Sequence, residues 1–221
     1  MCESFRILCA LCRVGLYSLY RRLCCKGPQP IRPNFSILCI GLEGAGKSSI
    51  LATLSGDDFH NIEPTIGFSI KALLFPNCIL DVKELGGGDQ VRPYWERYYQ
   101  TFQGIIFVID GSAEQDKLQI SRTELLKAIK HKQLSHIPLL ILVTSKNSIN
   151  THCNQDITGF LEAEEEFKDR QWMIKNCITS DKESLNEIFN EFNAILLMNL
   201  EREIESKKSA SSPSRSQNYK L

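Results

Sequence analysis

Eight consecutive residues, Gly41-Leu42-Glu43-Gly44-Ala45-Gly46-Lys47-Ser48, constrain this chain more than anything else in it. They fit the pattern G-x-x-x-x-G-K-[ST], in which glycines let successive backbone N–H groups curl around a polyphosphate. The lysine brings charge to the outer phosphates, and the serine offers its hydroxyl to Mg²⁺. With Ser49, the residue that follows, these positions form the expected phosphate-binding set. A chance match would sit in an arbitrary glycine-rich turn. Here the apolar run Ser36–Ile40 leads in and a helical pattern follows through about Leu54, which is the strand–loop–helix setting that phosphate binding requires.

The rest of the chain divides by composition. Residues 1–26 are apolar, cysteine-rich and basic, and residues 27–33 carry Pro28, Pro30 and Pro33 as a stiff, non-helical connector. From 34 to 200 apolar runs alternate with helical patterns, and 201–221 is charged, then serine-rich, with too little to bury to order itself. Phe68–Phe75 and Cys78–Glu84 read as strands of a hairpin turning at Pro76-Asn77. Ile105–Asp110 and Pro138–Thr144 read as buried strands, and Trp172–Ile178 as the last one. Helical spacing runs through 114–131 (Leu118, Leu125, Leu126, Ile129) and again from Leu185 to Leu196. The alternation predicts an α/β sheet with helices on both faces.

Charge and cysteine placement exclude several classes. Lys plus Arg and Asp plus Glu each total 26 in 221 residues, so the long-range positive field of a nucleic-acid binder is missing and no nucleic-acid partner is expected. The nine cysteines crowd the first 25 residues or stand singly, unlike a secreted disulfide framework, and reduced thiols inside a cell are expected. Arg13 interrupts the apolar stretch Phe5–Leu23, which argues against both a transmembrane helix and a signal peptide.

Downstream motifs give the phosphate loop a family. Pro64-Thr65-Ile66-Gly67-Phe68 resembles the first switch of Arf-type GTPases, and Glu84-Leu85-Gly86-Gly87, followed by Asp89, Val91-Arg92-Pro93 and Trp95, resembles their second switch. Gly104 to Asp110 is similar to the family's next strand, and Cys24-Cys25-Lys26-Gly27-Pro28, Gly67 to Ala72 and Lys83 to Gly87 extend the likeness to Arf-like members of the Ras superfamily. The likeness covers about Cys24 to Leu200. It implies a P-loop NTPase small G-domain with a six-stranded sheet, one strand antiparallel, and about five helices. It implies GTP/GDP and Mg²⁺ as cofactors, with Ser48, Thr65 and Glu84 on the metal side and the Gly87 backbone at the outer phosphate. Effector proteins would read the switch regions.

Four departures bear on enzymology. The magnesium-side aspartate of the family is Glu84, a carboxylate one methylene longer. The glutamine that orients attacking water falls at Gly88, which has no side chain to position anything, so very slow intrinsic hydrolysis is expected. The Asn-Lys-x-Asp stretch that selects guanine aligns with Thr144, Ser145, Lys146 and Asn147, and a register shifted by one places Ser148 at the acid position. Hydrogen bonds to a charged acceptor contribute about 1.5–3 kcal/mol each, so losing that aspartate weakens base binding roughly ten- to a hundredfold. Cys177-Ile178-Thr179-Ser180 resembles the last base-contacting loop, where the backbone at Ile178 does the reading. The expected base set is Thr144, Lys146, Asn147 and Ile178; the bland alternative makes Lys146 and Asn147 loop residues and Glu84 and Asp89 surface carboxylates.

The N-terminus begins Met1-Cys2, without the glycine that N-myristoylation needs. Its apolar residues are interleaved with Arg6, Arg13, Arg21, Arg22 and Lys26, a composition suited to a membrane interface. Cys24 and Cys25 are the expected S-acylation sites; the alternative is a helix packed on the domain. The resemblance implies the cytoplasmic face of secretory-pathway membranes, the Golgi among them, or the plasma membrane, with a cytosolic fraction. Three readings remain open from the sequence: a membrane-attached guanine-nucleotide switch, a pseudo-GTPase adaptor that keeps the fold without a hydrolytic cycle, and an ATP-using phosphate-loop enzyme.

Overall fold

Long apolar runs flanked by turns make strands that can be buried on both faces, and five of them here run parallel. The computed structural model describes residues 32–57, 63–99, 101–145, 167–168 and 170–210. The chain splits into two units, Met1–Arg32 and Pro33–Leu221, and the elements below belong to the second. In chain order they are β1 (Asn34–Gly41), α1 (Lys47–Ser55), β2 (Phe68–Leu74), β3 (Ile79–Leu85), a 3₁₀ helix (Arg92–Tyr98), β4 (Gly104–Asp110), α2 (Gln115–Lys130), β5 (Leu139–Ser145), β6 (Trp172–Ile178) and α3 (Lys182–Ala210).

The six strands form one sheet in the order β2-β3-β1-β4-β5-β6. All neighbours pair in parallel except β2 with β3, whose register runs from Phe68 opposite Leu85 to Leu74 opposite Ile79. The expected hairpin closes at Pro76-Asn77, where the Phe75 N–H donates to the Cys78 carbonyl at 3.0 Å. Alternation along β1 divides the core. Phe35, Ile37 and Cys39 face a cluster with Ile50 and Leu51 of α1 and Phe189 and Phe192 of α3. Leu38 and Ile40 face the other cluster, with Trp95, Phe107, Leu125 and Ile129. Because the parallel strands share a direction, the ends at Gly41, Leu85, Asp110, Ser145 and Ile178 lie along one edge of the sheet, the edge where α/β sheets bind ligands.

One sequence expectation needs amending. The composition of 201–221 predicts disorder throughout, yet α3 continues to Ala210. Glu203 precedes Lys207 by four residues, Lys207 and Lys208 fall in the last turn, and such residues support an exposed helix through side-chain pairing and the helix dipole. The resemblance implies about five helices; the described residues hold three α-helices and the 3₁₀ segment after Val91, and 146–166 lie outside them. Among the described residues no helix is long and apolar enough to cross a membrane.

Candidate functional site

The phosphate loop leaves β1 at Gly41 and enters α1 at Lys47. Lys47 is 6% exposed, and its Nζ donates to the carbonyls of Gly41 and Leu42 at 2.9 Å each. Burial, the largest influence, holds its pKa below the ordinary lysine value, while the nearby carboxylates of Glu84 and Glu43 act the other way. A buried ammonium whose hydrogen bonds go to neutral carbonyls still lacks counter-charge, and a polyphosphate is the kind of ligand that supplies it. At Gly46 the backbone sits at φ 92°, and a Cβ there would come within 2.9 Å of Thr179 Cγ2, so only glycine fits at the mouth of α1.

Ser48, Thr65 and Glu84 come from α1, the segment before β2, and β3, yet their side chains meet. The Ser48 hydroxyl donates to Glu84 Oε1 at 2.5 Å, the Thr65 hydroxyl approaches the same oxygen at 3.2 Å, and the two hydroxyls lie 3.2 Å apart. Glu84 is only 2% exposed. The three residues expected on the metal side are therefore one cluster of hard oxygen donors at the foot of the phosphate loop.

The turn after β3 is pressed against that loop. The Glu43 N–H donates to the Gly87 carbonyl at 3.2 Å, and a Cβ on residue 87 would lie 2.3 to 2.4 Å from Leu42 C, Glu43 N and Gly41 O. Any side chain at 87 would push the turn off the loop. The Gly86 N–H donates to the Gly67 carbonyl at 2.8 Å, which ties the second switch-like segment to the first. The Gly86 carbonyl in turn accepts from Trp95 Nε1 at 2.8 Å, a link that no sequence motif signals. At Gly88 a Cβ would meet Glu43 Oε2 at 3.4 Å, ordinary contact.

On the base side the outcome is mixed. Thr144 is buried at the end of β5, and its hydroxyl has the Ala45 carbonyl at 2.9 Å and the Ile109 carbonyl at 3.3 Å as acceptors. The hydroxyl thereby braces the phosphate loop against β5. Ile178 pairs with Ser145 at the β5–β6 edge, and its carbonyl accepts from the Asp181 N–H at 3.0 Å. The next residue is fastened to α1, with the Thr53 hydroxyl donating to the Thr179 carbonyl at 2.7 Å. Lys146, Asn147, Cys24 and Cys25 lie outside the described residues.

A glycine-lined loop between the first strand and its helix, a lysine folded back into it, and a Ser–Thr–carboxylate cluster beneath define a phosphate-loop domain of the small-GTPase kind. Residues 28–195 match the ADP-ribosylation factor family, and the chain belongs to that family, as an Arf-like GTPase of the Ras superfamily. It is 43% identical to ADP-ribosylation factor-like protein 15 of Homo sapiens over 175 residues, which is 79% of this chain and 86% of that protein. It is 33% identical to ADP-ribosylation factor-like protein 3 of Chlamydomonas reinhardtii over 174 residues, 79% of this chain and 94% of that one. Among solved structures the Arl6 BBS3 small GTPase of Trypanosoma brucei, determined with the nucleotide analogue GppNp, superposes with a TM-score of 0.62 at 19% identity, covering 75% of this chain and 98% of that one.

Proposed function

We propose that this protein is a membrane-attached guanine-nucleotide switch that hydrolyses GTP very slowly and recruits effector proteins in its GTP-bound form. The observation that carries the reading is the meeting of Ser48, Thr65 and Glu84 within 3.2 Å beside a buried lysine. Two hydroxyls and a carboxylate are the oxygen donors Mg²⁺ prefers. Among the described residues the Glu84 side chain has hydroxyls as its hydrogen-bond partners, so a divalent cation fits as its counter-charge. When bound, the ion neutralises charge on the nucleotide phosphates. Lys47 and the loop amides hold those phosphates, while Thr65 and the Gly86-Gly87 backbone report whether the outermost one is present. Gly88 orients no water, which leaves hydrolysis slow.

Effector recruitment draws support from the element that Thr65 leads into. Ile66 is 93% exposed, and Phe68, Ile70 and Leu74 also stand in solvent along β2, an edge strand of the sheet. An exposed apolar row of that kind marks a protein-binding surface. Because it is continuous with Thr65 and hydrogen-bonded to Gly86, its position is coupled to whatever fills the phosphate site, and differential affinity of two states for a partner is what a switch needs.

A panel of GTP analogue, GDP, XTP and ATP, each with and without Mg²⁺, tests the nucleotide part by thermal unfolding. At a hundredfold excess over Kd a ligand stabilises by about 2.7 kcal/mol, roughly 5–10 °C for a domain of this size. The GTP analogue with Mg²⁺ is expected to raise Tm more than GDP, and a shift from ATP alone would favour the ATP-using enzyme instead. Equal or absent shifts would instead establish the adaptor reading, which Gly88 and the departures from the guanine-selecting motif at Thr144 to Asn147 favour. Membrane attachment rests on residues 1–26 of the sequence: Cys24→Ser together with Cys25→Ser is expected to move the protein from the membrane to the soluble fraction. An unchanged partition removes acylation from the account.

A further inference from the structure

Three carboxylates belong to the phosphate loop and the turn that covers it: Glu43, Glu84 and Asp89. Two are engaged. Glu84 accepts from Ser48 and Thr65, and Asp89 is paired with Arg92. Glu43 is exposed, and among the described residues its side chain makes no hydrogen bond or ion pair. Its backbone is nonetheless held, because its N–H donates to the Gly87 carbonyl and the 87 position leaves no room between turn and loop.

The place where this free carboxylate sits is informative. Glu43 Oε2 lies 3.4 Å from the point where residue 88 would carry its Cβ. A glutamine at 88 would hold its own carboxamide oxygen about 3 Å from that same point, the span of two carbon–carbon bonds and a carbonyl. Gly88 stands where the family has its water-orienting glutamine, and an acceptor oxygen from the phosphate loop stands over it at a glutamine's reach. The ammonium of Lys47, which serves the outer phosphates, also feels the Glu43 charge.

We infer that Glu43 is the water-positioning residue of this protein, a weaker substitute on the phosphate loop for the glutamine that residue 88 lacks, which keeps hydrolysis slow but not absent. The inference rests on the nucleotide reading above. In the step it serves, the water oxygen forms a bond to the γ-phosphorus and the bond from that phosphorus to the bridging oxygen of GDP breaks. The proton released by the water passes to a γ-phosphate oxygen, so GTP and water become GDP and phosphate with nothing else consumed. Glu43 accepts a hydrogen bond from that water and holds its lone pair toward the phosphorus. Positioning of this sort is where phosphoryl-transfer catalysis chiefly resides.

The test is single-turnover hydrolysis of preloaded GTP by the full chain, read beside the Tm shift given by a GTP analogue. Glu43→Ala is expected to slow hydrolysis at least tenfold while the analogue still shifts Tm, showing that the loop is intact. Glu43→Gln keeps an acceptor oxygen at the same place and is expected to retain at least a third of the wild-type rate. Gly88→Gln in the Glu43→Ala background is expected to restore the rate, which no repair of loop structure would do. Hydrolysis at the wild-type rate by Glu43→Ala overturns the inference, as does a wild-type protein that binds the analogue and never turns over GTP. A protein whose Tm responds to no nucleotide overturns the switch reading itself, and this inference with it.

Discussion

Replacing Lys47 with alanine is expected to weaken guanine-nucleotide binding at least a hundredfold and to erase the Tm difference between protein with and without the GTP analogue. The side chain is buried, and among the described residues its Nζ donates to the Gly41 and Leu42 carbonyls at 2.9 Å. Charge-assisted hydrogen bonds contribute about 1.5–3 kcal/mol each, so removing two such bonds to phosphate costs about 3–6 kcal/mol, or two to four decades in Kd. The pKa direction leads to the same place. Burial holds the folded pKa of Lys47 below the ordinary lysine value, so between that lowered value and the ordinary one the unfolded chain binds the proton more tightly. The nucleotide-free protein therefore loses stability as pH falls through that window. A bound polyphosphate raises the folded pKa and offsets the cost. A Lys47→Ala protein that kept its analogue-dependent Tm shift would mean that the ligand of this fold lies elsewhere.

What the sequence disclosed follows from where information is local. Strands with long apolar runs were legible almost to the residue: Trp172–Ile178 is β6 without adjustment, and Pro76-Asn77 announces its hairpin because proline and asparagine suit a turn and not a ladder. The cluster of Ser48, Thr65 and Glu84 was legible despite separations of 17 and 36 residues, because motif spacing stands in for three-dimensional placement. Thr144 shows the opposite case. It aligns with a base-reading position, and the partner that engages its hydroxyl is the Ala45 carbonyl, 99 residues away, a backbone acceptor that leaves no mark in sequence. The same holds for Thr53 with the Thr179 carbonyl. Residues 201–210 bury little surface and are nonetheless helical. Local pairing of Glu and Lys extends a helix that packing has already nucleated farther back.

Trp95 joins the two halves of the site, and its removal is expected to be the most destabilising single change. The indole is 2% exposed within the cluster formed by Leu38, Ile40 and Phe107, and it donates to the Gly86 carbonyl at 2.8 Å. Truncation to alanine loses the packed ring and leaves a cavity, about 3–5 kcal/mol, or roughly 6–20 °C in Tm. Trp95→Phe separates packing from tethering. It keeps an aromatic ring in the core but leaves the buried Gly86 carbonyl without its indole donor, a loss of about 1–3 kcal/mol. Gly86 is also bonded to Gly67, and Gly87 lies on the phosphate loop with no room for a Cβ. Slackening the Gly86 carbonyl therefore loosens the turn that distinguishes one phosphate state from the other. The phenylalanine variant is expected to unfold closer to wild type than the alanine variant does, while its preference for GTP analogue over GDP narrows severalfold in Kd. Should Trp95→Phe discriminate as well as wild type, the indole is a core residue and nothing more, and the switch turn is held by its glycine contacts alone.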